Sequence, residues 1–495
     1  MVVKLYFVKY LQGVWRNLQT PCRFSYQKWV NTKIISTMYL LIFCLLTITA
    51  QPVMTSDDKR YTYETDSLVL QKIDEWQDLK FGILIQWGPY SIWGAVESWS
   101  ICSEDEEWCE RPPGKSYVEY VKEYEMLPQY FNPVQFDPDK WAKVTKEAGM
   151  KYVVFTTKHH DGFCMYDSKY TNYKITDPSV PFNVNPKANI AKEVFQSFRN
   201  EGMAVGAYYS KPDWHHPDYW APEWATPDRH VNYDTQRYPE RWQRFKDFTY
   251  NQFEELMTGY GKIDILWLDG GWVQPKWKNQ GIDMERIVKM ARGHQPGLIV
   301  VDRSVGGIFE NYLTPEKRIP DKPLPYPWET CMPSAKMWSF KPNDEYKPAR
   351  QIIHMLVDIV AKGGNYLLNF GPGPDGNFDR MAYQRLAEIG QWMKINGEAI
   401  YSTRPIDPYK QDKVCYTSKK DGTLYGIYLA DEGEIVPSSI LMKGITVSKR
   451  SKVSMLGVSG NCIWKQTDEG VLVTVPTTAR KTFLSSYAWT LKISQ

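Results

Sequence analysis

From residue 79 to residue 370, short apolar runs rich in β-branched and aromatic residues recur along the chain, separated by longer segments whose apolar positions return at helical spacing. Runs of this kind read as strands buried on both faces, and the segments between them as the crossover helices of βα units around a parallel sheet. The pattern predicts strands at 80–87, 151–157, 204–209, 263–268, 298–301 and 365–370. It predicts helices at 138–148, 188–200, 240–260, 284–293, 346–361 and 380–396. The first of these opens on Asp137-Pro138-Asp139, an acidic N-cap with proline at the first helical position. Six strands stand out, and the irregular stretch 305–345 has room for two more, so an α/β fold of (β/α)8-like TIM-barrel type is expected rather than an open sheet. After about Tyr401 the helical spacing stops, and alternating runs at 423–430 and 470–475 predict a C-terminal antiparallel β-sandwich.

The amino-terminal segment differs from the rest. Six of the 60 Lys and Arg residues fall within residues 1–50, which contain no Asp or Glu; the remainder carries 54 basic against 57 acidic residues, a net charge of −3 behind the formal +3 of the whole chain. That balance suggests neither nucleic acid nor an anionic membrane as partner. An apolar run at 38–50, preceded by Lys28 and Lys33, is short for a membrane span and ends in small residues, as the core of a cleaved signal peptide does. The expected organisation is therefore 1–50 as N-terminal extension and signal peptide, 51–404 as catalytic barrel and 405–495 as sandwich. The expected location is secreted or periplasmic, without membrane insertion of the mature chain. Twenty Trp and 33 Tyr exceed what a core needs, and several stand beside polar loop residues, as in Trp87-Gly88-Pro89-Tyr90. Rigid amphipathic rings suit the apolar faces of sugars.

In a parallel barrel the functional side chains project where strands end. The first predicted strand ends Gln86-Trp87-Gly88, the second Lys158-His159-His160-Asp161, the third Tyr208-Tyr209-Ser210-Lys211, the fourth Trp267-Leu268-Asp269-Gly270-Gly271 and the fifth Asp302-Arg303. Polar or aromatic clusters at five successive strand ends point to one site. Asp269 follows an almost wholly apolar run, and the two glycines after it permit close approach of backbone or ligand. A carboxylate there, with no Cys pair or His/Cys cluster at metal spacing and no cofactor motif, suits attack on an anomeric carbon. No metal and no cofactor is expected. The adjacent His159 and His160 can meet vicinal sugar hydroxyls as donors and acceptors. Glycoside hydrolysis needs a second carboxyl, and Glu310, Glu316 and Glu329 are all available after the fifth strand; spacing does not choose among them.

The segments 80–88 (Lys-Phe-Gly-Ile-Leu-Ile-Gln-Trp-Gly), 155–163 (Phe-Thr-Thr-Lys-His-His-Asp-Gly-Phe), Tyr208-Tyr209-Ser210, 265–270 (Ile-Leu-Trp-Leu-Asp-Gly) and 365–372 (Asn-Tyr-Leu-Leu-Asn-Phe-Gly-Pro) together resemble α-L-fucosidases of glycoside hydrolase family 29. The resemblance covers about residues 75–400, and the sandwich is similar to the second domain of that family. It implies retaining, double-displacement hydrolysis of terminal α-L-fucose from a fucosylated glycan, without a cofactor. It implies Asp269 as nucleophile, and fucose-binding roles for Gln86, Glu97, Trp99, His159, His160, Tyr208, Trp267 and Arg303. For the acid/base it points to Glu316, at a family-like interval from Arg303, with Glu329 in reserve. The Thr314-Pro315-Glu316 and Pro327-Trp328-Glu329-Thr330 segments resemble the branch that prefers α1,3/1,4 linkages. One departure stands out: the family's first strand ends His-Trp-Gly, whereas here Gln86 takes the histidine's place. The substitution leaves two alternatives beside the fucosidase, a catalytically weakened fucose-binding protein and a hydrolase of a fucose-like sugar such as α-L-galactose.

Overall fold

The computed structural model describes residues 61–102, 109, 111, 114–225, 228–482 and 487–494. The expected signal peptide lies outside the described residues. Among them, no helix is long and apolar enough to cross a membrane.

The barrel elements follow in order: α1 Ser67–Leu79, β1 Phe81–Ile85, α2 Tyr117–Glu125, α3 Pro138–Glu147, β2 Tyr152–Lys158, α4 Ile190–Asn200, β3 Ala204–Ser210, α5 Pro239–Gly259, β4 Ile265–Asp269, α6 Met284–His294, β5 Ile299–Asp302, β6 Glu329–Pro333, α7 Ala349–Ala361, β7 Asn365–Phe370 and α8 Arg380–Asn396. All six expected strands form, with bounds moved by a residue or two except at 365–370. The strands β1, β2, β5, β6 and β7 are buried at every residue, which accounts for the apolar runs of β1, β2, β5 and β7; β6, Glu-Thr-Cys-Met-Pro, is buried without such a run. Asp137 caps α3 as its sequence announces, its carboxylate accepting from the Lys140 N–H at 3.1 Å. The helices α1 and α2 were not among those expected. α1 is capped by Asp66, and α2 opens with a capping box between Ser116 and Glu119.

The seven barrel strands are parallel, in the order β5-β4-β3-β2-β1-β7-β6. The pairing of β1 with β7 (Phe81 opposite Tyr366) wraps the sheet back on itself as a TIM-like barrel does. Of the two strands for which 305–345 has room, one forms, as β6. The eighth stave is an irregular segment between β5 and β6. Residues 309–311 bond to β5 (Asp302 N–H to the Phe309 carbonyl, 2.9 Å; Asn311 N–H to the Val300 carbonyl, 2.9 Å). Residues 313–317 bond to β6 and its approach (Glu329 N–H to the Leu313 carbonyl, 2.8 Å; Lys317 N–H to the Cys331 carbonyl, 3.0 Å). A segment that must turn between two edges cannot carry a strand's alternation, so no run marks it in the sequence.

The C-terminal strands are β8 Thr403–Arg404, β9 Lys410–Gln411, β10 Val414–Lys419, β11 Leu424–Leu429, β12 Ser439–Lys443, β13 Lys452–Met455, β14 Ile463–Thr467, β15 Gly470–Thr474 and β16 Ala488–Ser494, with a short helix, α9 Thr477–Thr482, before the last. They form a six-stranded and a three-stranded antiparallel sheet, with Val414, Met442, Val453, Val471, Val473 and Leu491 in a common core. This domain docks on the outer helices: Trp392 of α8 donates to the Ala488 carbonyl (3.0 Å) and Arg350 of α7 to the Ala430 carbonyl (2.7 Å).

Candidate active site

The ends of β1 to β5 carry their polar residues to one cleft. A pocket of about 980 Å³ is lined by Gln86, Glu97, Trp99, His159, Tyr208, Trp267, Asp269, Arg303 and Glu316, among others. Its volume lies at the upper end of the range for small-molecule sites.

Asp269 is the last residue of β4. Its Oδ1 accepts from Arg303 Nη1 (2.9 Å) and from the Gly270 N–H (2.8 Å), and its Oδ2 from the Tyr208 hydroxyl (2.8 Å). Burial alone would push this carboxyl up, but the Arg303 charge and the bonds from Tyr208 and Gly270 outweigh it and hold the group well below the usual carboxylate range. The carboxylate keeps 21 % of its side chain exposed, in reach of a ligand in the pocket. The two glycines have separate reasons: Gly270 is in the left-handed region at φ 85° and lies against Pro212, while a Cβ on Gly271 would come within 2.6 Å of the Arg303 carbonyl.

Arg303 joins both candidate carboxyls. While Nη1 bonds Asp269, Nη2 donates to Glu316 at 2.6 Å, and Nε donates to the Thr314 hydroxyl at 3.1 Å. The guanidinium lies over the Trp267 ring (4.7 Å), which stacks in turn on Tyr208 (5.3 Å between centroids). Glu316 belongs to the irregular eighth stave, and 41 % of its side chain is exposed.

Both histidines are buried and neutral. Burial, reinforced by each other's proximity, pushes His159 well down, and burial takes His160 down to about 4 despite the Asp269 charge. His159 Nδ1 bonds the Ser98 hydroxyl and its ring is parallel to that of Tyr208. His160 has no hydrogen-bond partner for either ring nitrogen among the described residues, although its Nε2 lies 3.9 Å from Asp269 Oδ2. A buried, unpaired imidazole beside the carboxylate is costly unless a ligand hydroxyl completes it. His159, His160 and Asp269 bring three ligand atoms within 4.8 Å of one another, a spacing that could hold a metal ion. The guanidinium already bonded to Asp269 opposes a second cation there, whereas all three groups suit sugar hydroxyls.

Glu97 is buried in a short 3-10 turn at φ 40°, an uncommon conformation for a residue with a side chain. Its carboxyl accepts from the Ser339 N–H (2.8 Å), and burial pushes it up to about 7. Gln86 turns its side-chain oxygen to the Thr156 hydroxyl (2.9 Å), so its amide N–H group is the part left for a ligand. Trp99 packs edge-on against His160 at 5.1 Å.

Glu329 stands apart from the other carboxyls. It is wholly buried on β6 and does not line the pocket. Its oxygens accept from the Tyr152 hydroxyl (2.6 Å), the Trp267 indole (3.1 Å) and the Tyr312 hydroxyl (3.2 Å), and burial pushes it up to about 7. The third carboxyl of that loop, Glu310, caps a turn through the Ser304 and Gly306 N–H groups (2.9 and 2.7 Å). Of the three, Glu316 is the one that lines the pocket.

Several pocket residues carry no signal in the strand-end pattern. Trp272 is fixed by bonds from its indole to the Tyr219 hydroxyl (3.2 Å) and the Arg229 carbonyl (3.1 Å), and it packs on His160 at 5.2 Å. It could have been found as the third residue after Asp269. Lys317, Trp338 and Lys341 also line the pocket, from the irregular 305–345 stretch and its margin, where sequence offers no face to read.

The family model for α-L-fucosidase matches residues 48–398, and that for the α-L-fucosidase C-terminal domain matches residues 407–494. The chain is 30% identical to the tissue α-L-fucosidase of Mus musculus over 88% of its own length and 95% of that protein, and 29% identical to the plasma α-L-fucosidase of Homo sapiens over 88% and 92%. Among solved structures it resembles α-L-fucosidase isoenzyme 1 from Paenibacillus thiaminolyticus (TM-score 0.70, 30% identity, covering 86% of this chain and 99% of that one). It also resembles the Thermotoga maritima α-fucosidase in complex with fucose (TM-score 0.68, 27% identity, covering 88% and 100%). Two matched domains, relatives matched along nearly their whole length and a cleft built for a small polyhydroxylated ligand agree: the chain belongs to the α-L-fucosidase family, glycoside hydrolase family 29.

Proposed function

We propose that this chain is a retaining exo-glycosidase that removes terminal α-L-fucose, α1,3- or α1,4-linked, from oligosaccharides or glycoconjugates. The observation that carries the reading is a single guanidinium, Arg303, bonded to an ionised Asp269 on one side and to the half-exposed Glu316 on the other. Asp269 attacks the anomeric carbon while Glu316 protonates the departing glycosidic oxygen; Glu316 then takes a proton from the water that releases fucose. To reach that oxygen Glu316 swings off Arg303, which its exposure permits. Tyr208 and Arg303 keep Asp269 ionised and aimed, and neutral His159 and His160 receive ring hydroxyls. Trp99 offers a face to the apolar side of the sugar, and Trp267, covered by Arg303 and Tyr208, borders the same pocket.

The linkage preference is supported by the Thr314-Pro-Glu316 segment, and export by the apolar run at 38–50. A reading in which the sugar is α-L-galactose rather than fucose is favoured by one observation, the Gln86 to Thr156 bond in place of the family's histidine. Proton NMR of an aryl α-L-fucoside during hydrolysis tests the mechanism. The α anomer of L-fucose appearing first supports double displacement, and the β anomer appearing first rules it out.

A further inference from the structure

The pocket is much larger than one hexose needs, and its outer part has a character of its own. Beyond the side chains that surround Asp269 it is lined by Lys317, Lys336, Trp338 and Lys341. Lys317 follows Glu316, the carboxyl that on the fucosidase reading faces the glycosidic oxygen, so these residues stand where the leaving sugar must lie. Lys317 holds its ammonium 5.3 Å above the Trp338 ring, and Lys341 is three residues beyond that ring. The platform is fixed. The Trp338 carbonyl accepts from Asn369 of β7 (2.6 Å), and Ser339, the next residue, bonds the Ala95 carbonyl (2.7 Å). The backbone at Lys341 and Pro342 packs so closely on Gly94 that a Cβ there would come within 2.7 Å of the proline ring.

The charges around it are not balanced. Lys336 is paired with Glu345 (2.6 Å), and the Asp344 carboxylate is occupied by the Met337 and Glu345 N–H groups (3.0 and 2.8 Å). Among the described residues neither Lys317 nor Lys341 has a carboxylate within ion-pairing distance. Lys317 acts electrostatically on buried Glu97, which accounts for part of its charge. Two unpaired cations beside a fixed tryptophan face, in a chain whose net charge beyond residue 50 is −3, are a place for a sugar that brings its own negative charge.

We infer that the leaving-group side of the pocket takes an anionic sugar, one bearing a sulfate ester or a carboxylate, with Lys317 and Lys341 as its cationic contacts and Trp338 as its stacking face. The inference rests on the fucosidase reading, because it needs the scissile bond to lie between Asp269 and this platform. The test compares kcat/KM for an α1,3-fucosylated N-acetyllactosamine, its 6-O-sulfated form and its sialylated form, with an aryl α-L-fucoside as reference, at low and high ionic strength. At least one anionic form is expected to be preferred over the neutral trisaccharide by about tenfold at low salt, mainly through KM, with the preference shrinking at high salt. Which form gains tells sulfate from carboxylate. In Lys317→Gln/Lys341→Gln the ratio of anionic to neutral substrate is expected to fall toward one. Equal kcat/KM for all three oligosaccharides, with the aryl fucoside cleaved, overturns the inference and leaves the fucosidase reading standing; so does a preference that survives in the double variant. Failure to cleave even the aryl fucoside overturns both.

Discussion

Arg303 Nη1 lies 2.9 Å from Asp269 Oδ1, and this bond sets the charge state of the carboxyl as much as its position. Asp269 is otherwise buried enough for its carboxyl to be pushed upward. In Arg303→Lys the planar, two-pronged contact is lost, and kcat/KM should fall by about 100-fold or more. Because the cation that holds Asp269 down is then weaker or misplaced, its carboxyl rises, and the acid limb of the kcat/KM profile should move to higher pH. An unchanged acid limb would show that Arg303 does not govern this group.

Glu316 and Glu329 are separated by a leaving-group comparison. If Glu316 is the proton donor, Glu316→Gln should retain much of its first step on an aryl fucoside with an acidic phenol and lose about 100-fold or more on a fucosyl disaccharide, whose leaving group needs the proton. Glu329→Gln should affect both substrates alike, because the Glu329 carboxyl accepts from Tyr152, Trp267 and Tyr312 and does not line the pocket. Reversal of the two patterns would move the acid/base role to Glu329.

Glu329 also bears on stability. Its folded-state value of about 7 is above the ordinary 4.5, so the group contributes stability that is fully present below pH 4.5 and is lost as pH rises toward 7. The loss is on the order of 1–3 kcal/mol for a buried carboxyl of this kind. Glu97 behaves in the same direction and window. Melting temperatures of wild type and Glu329→Gln at pH 5 and pH 7.5 test this: the wild type should lose more on going to the higher pH. Parallel losses would contradict it.

The barrel was legible because strands buried on both faces write themselves as uninterrupted apolar runs, and the functional residues follow directly where those runs stop, as Asp269 follows Leu268 and Arg303 follows Asp302. What could not be read is the eighth stave. Residues 309–317 bond outward to two strands at once and obey no period, so only the family resemblance and the interval from Arg303 point to Glu316. The same holds for Trp338 and Lys341, whose places depend on contacts to Asn369 and Gly94 far away in sequence. Glu329 shows another limit: spacing after the fifth strand leaves it level with Glu310 and Glu316, and the three aromatic donors that hold its carboxyl in the core come from Tyr152, Trp267 and Tyr312, on other elements.

Gln86 tests how far the family's sugar specificity carries over. Removing its amide in Gln86→Ala should lower kcat/KM on an aryl α-L-fucoside by roughly 5–10-fold, the worth of about one hydrogen bond to a ligand hydroxyl. Gln86→His should widen the preference for the fucoside over the α-L-galactoside. A narrowed preference would favour the fucose-like sugar as the natural one.

The central claim is that Asp269 forms a covalent bond to the sugar, and the most direct measurement is to trap it. Incubation with 2-deoxy-2-fluoro-L-fucosyl fluoride, followed by proteolysis and mass spectrometry, should place a single fluorofucosyl group on the peptide containing Asp269, and Asp269→Ala should take up none. A label on any other carboxyl, Glu97 included, or turnover of the reagent without labelling would contradict it.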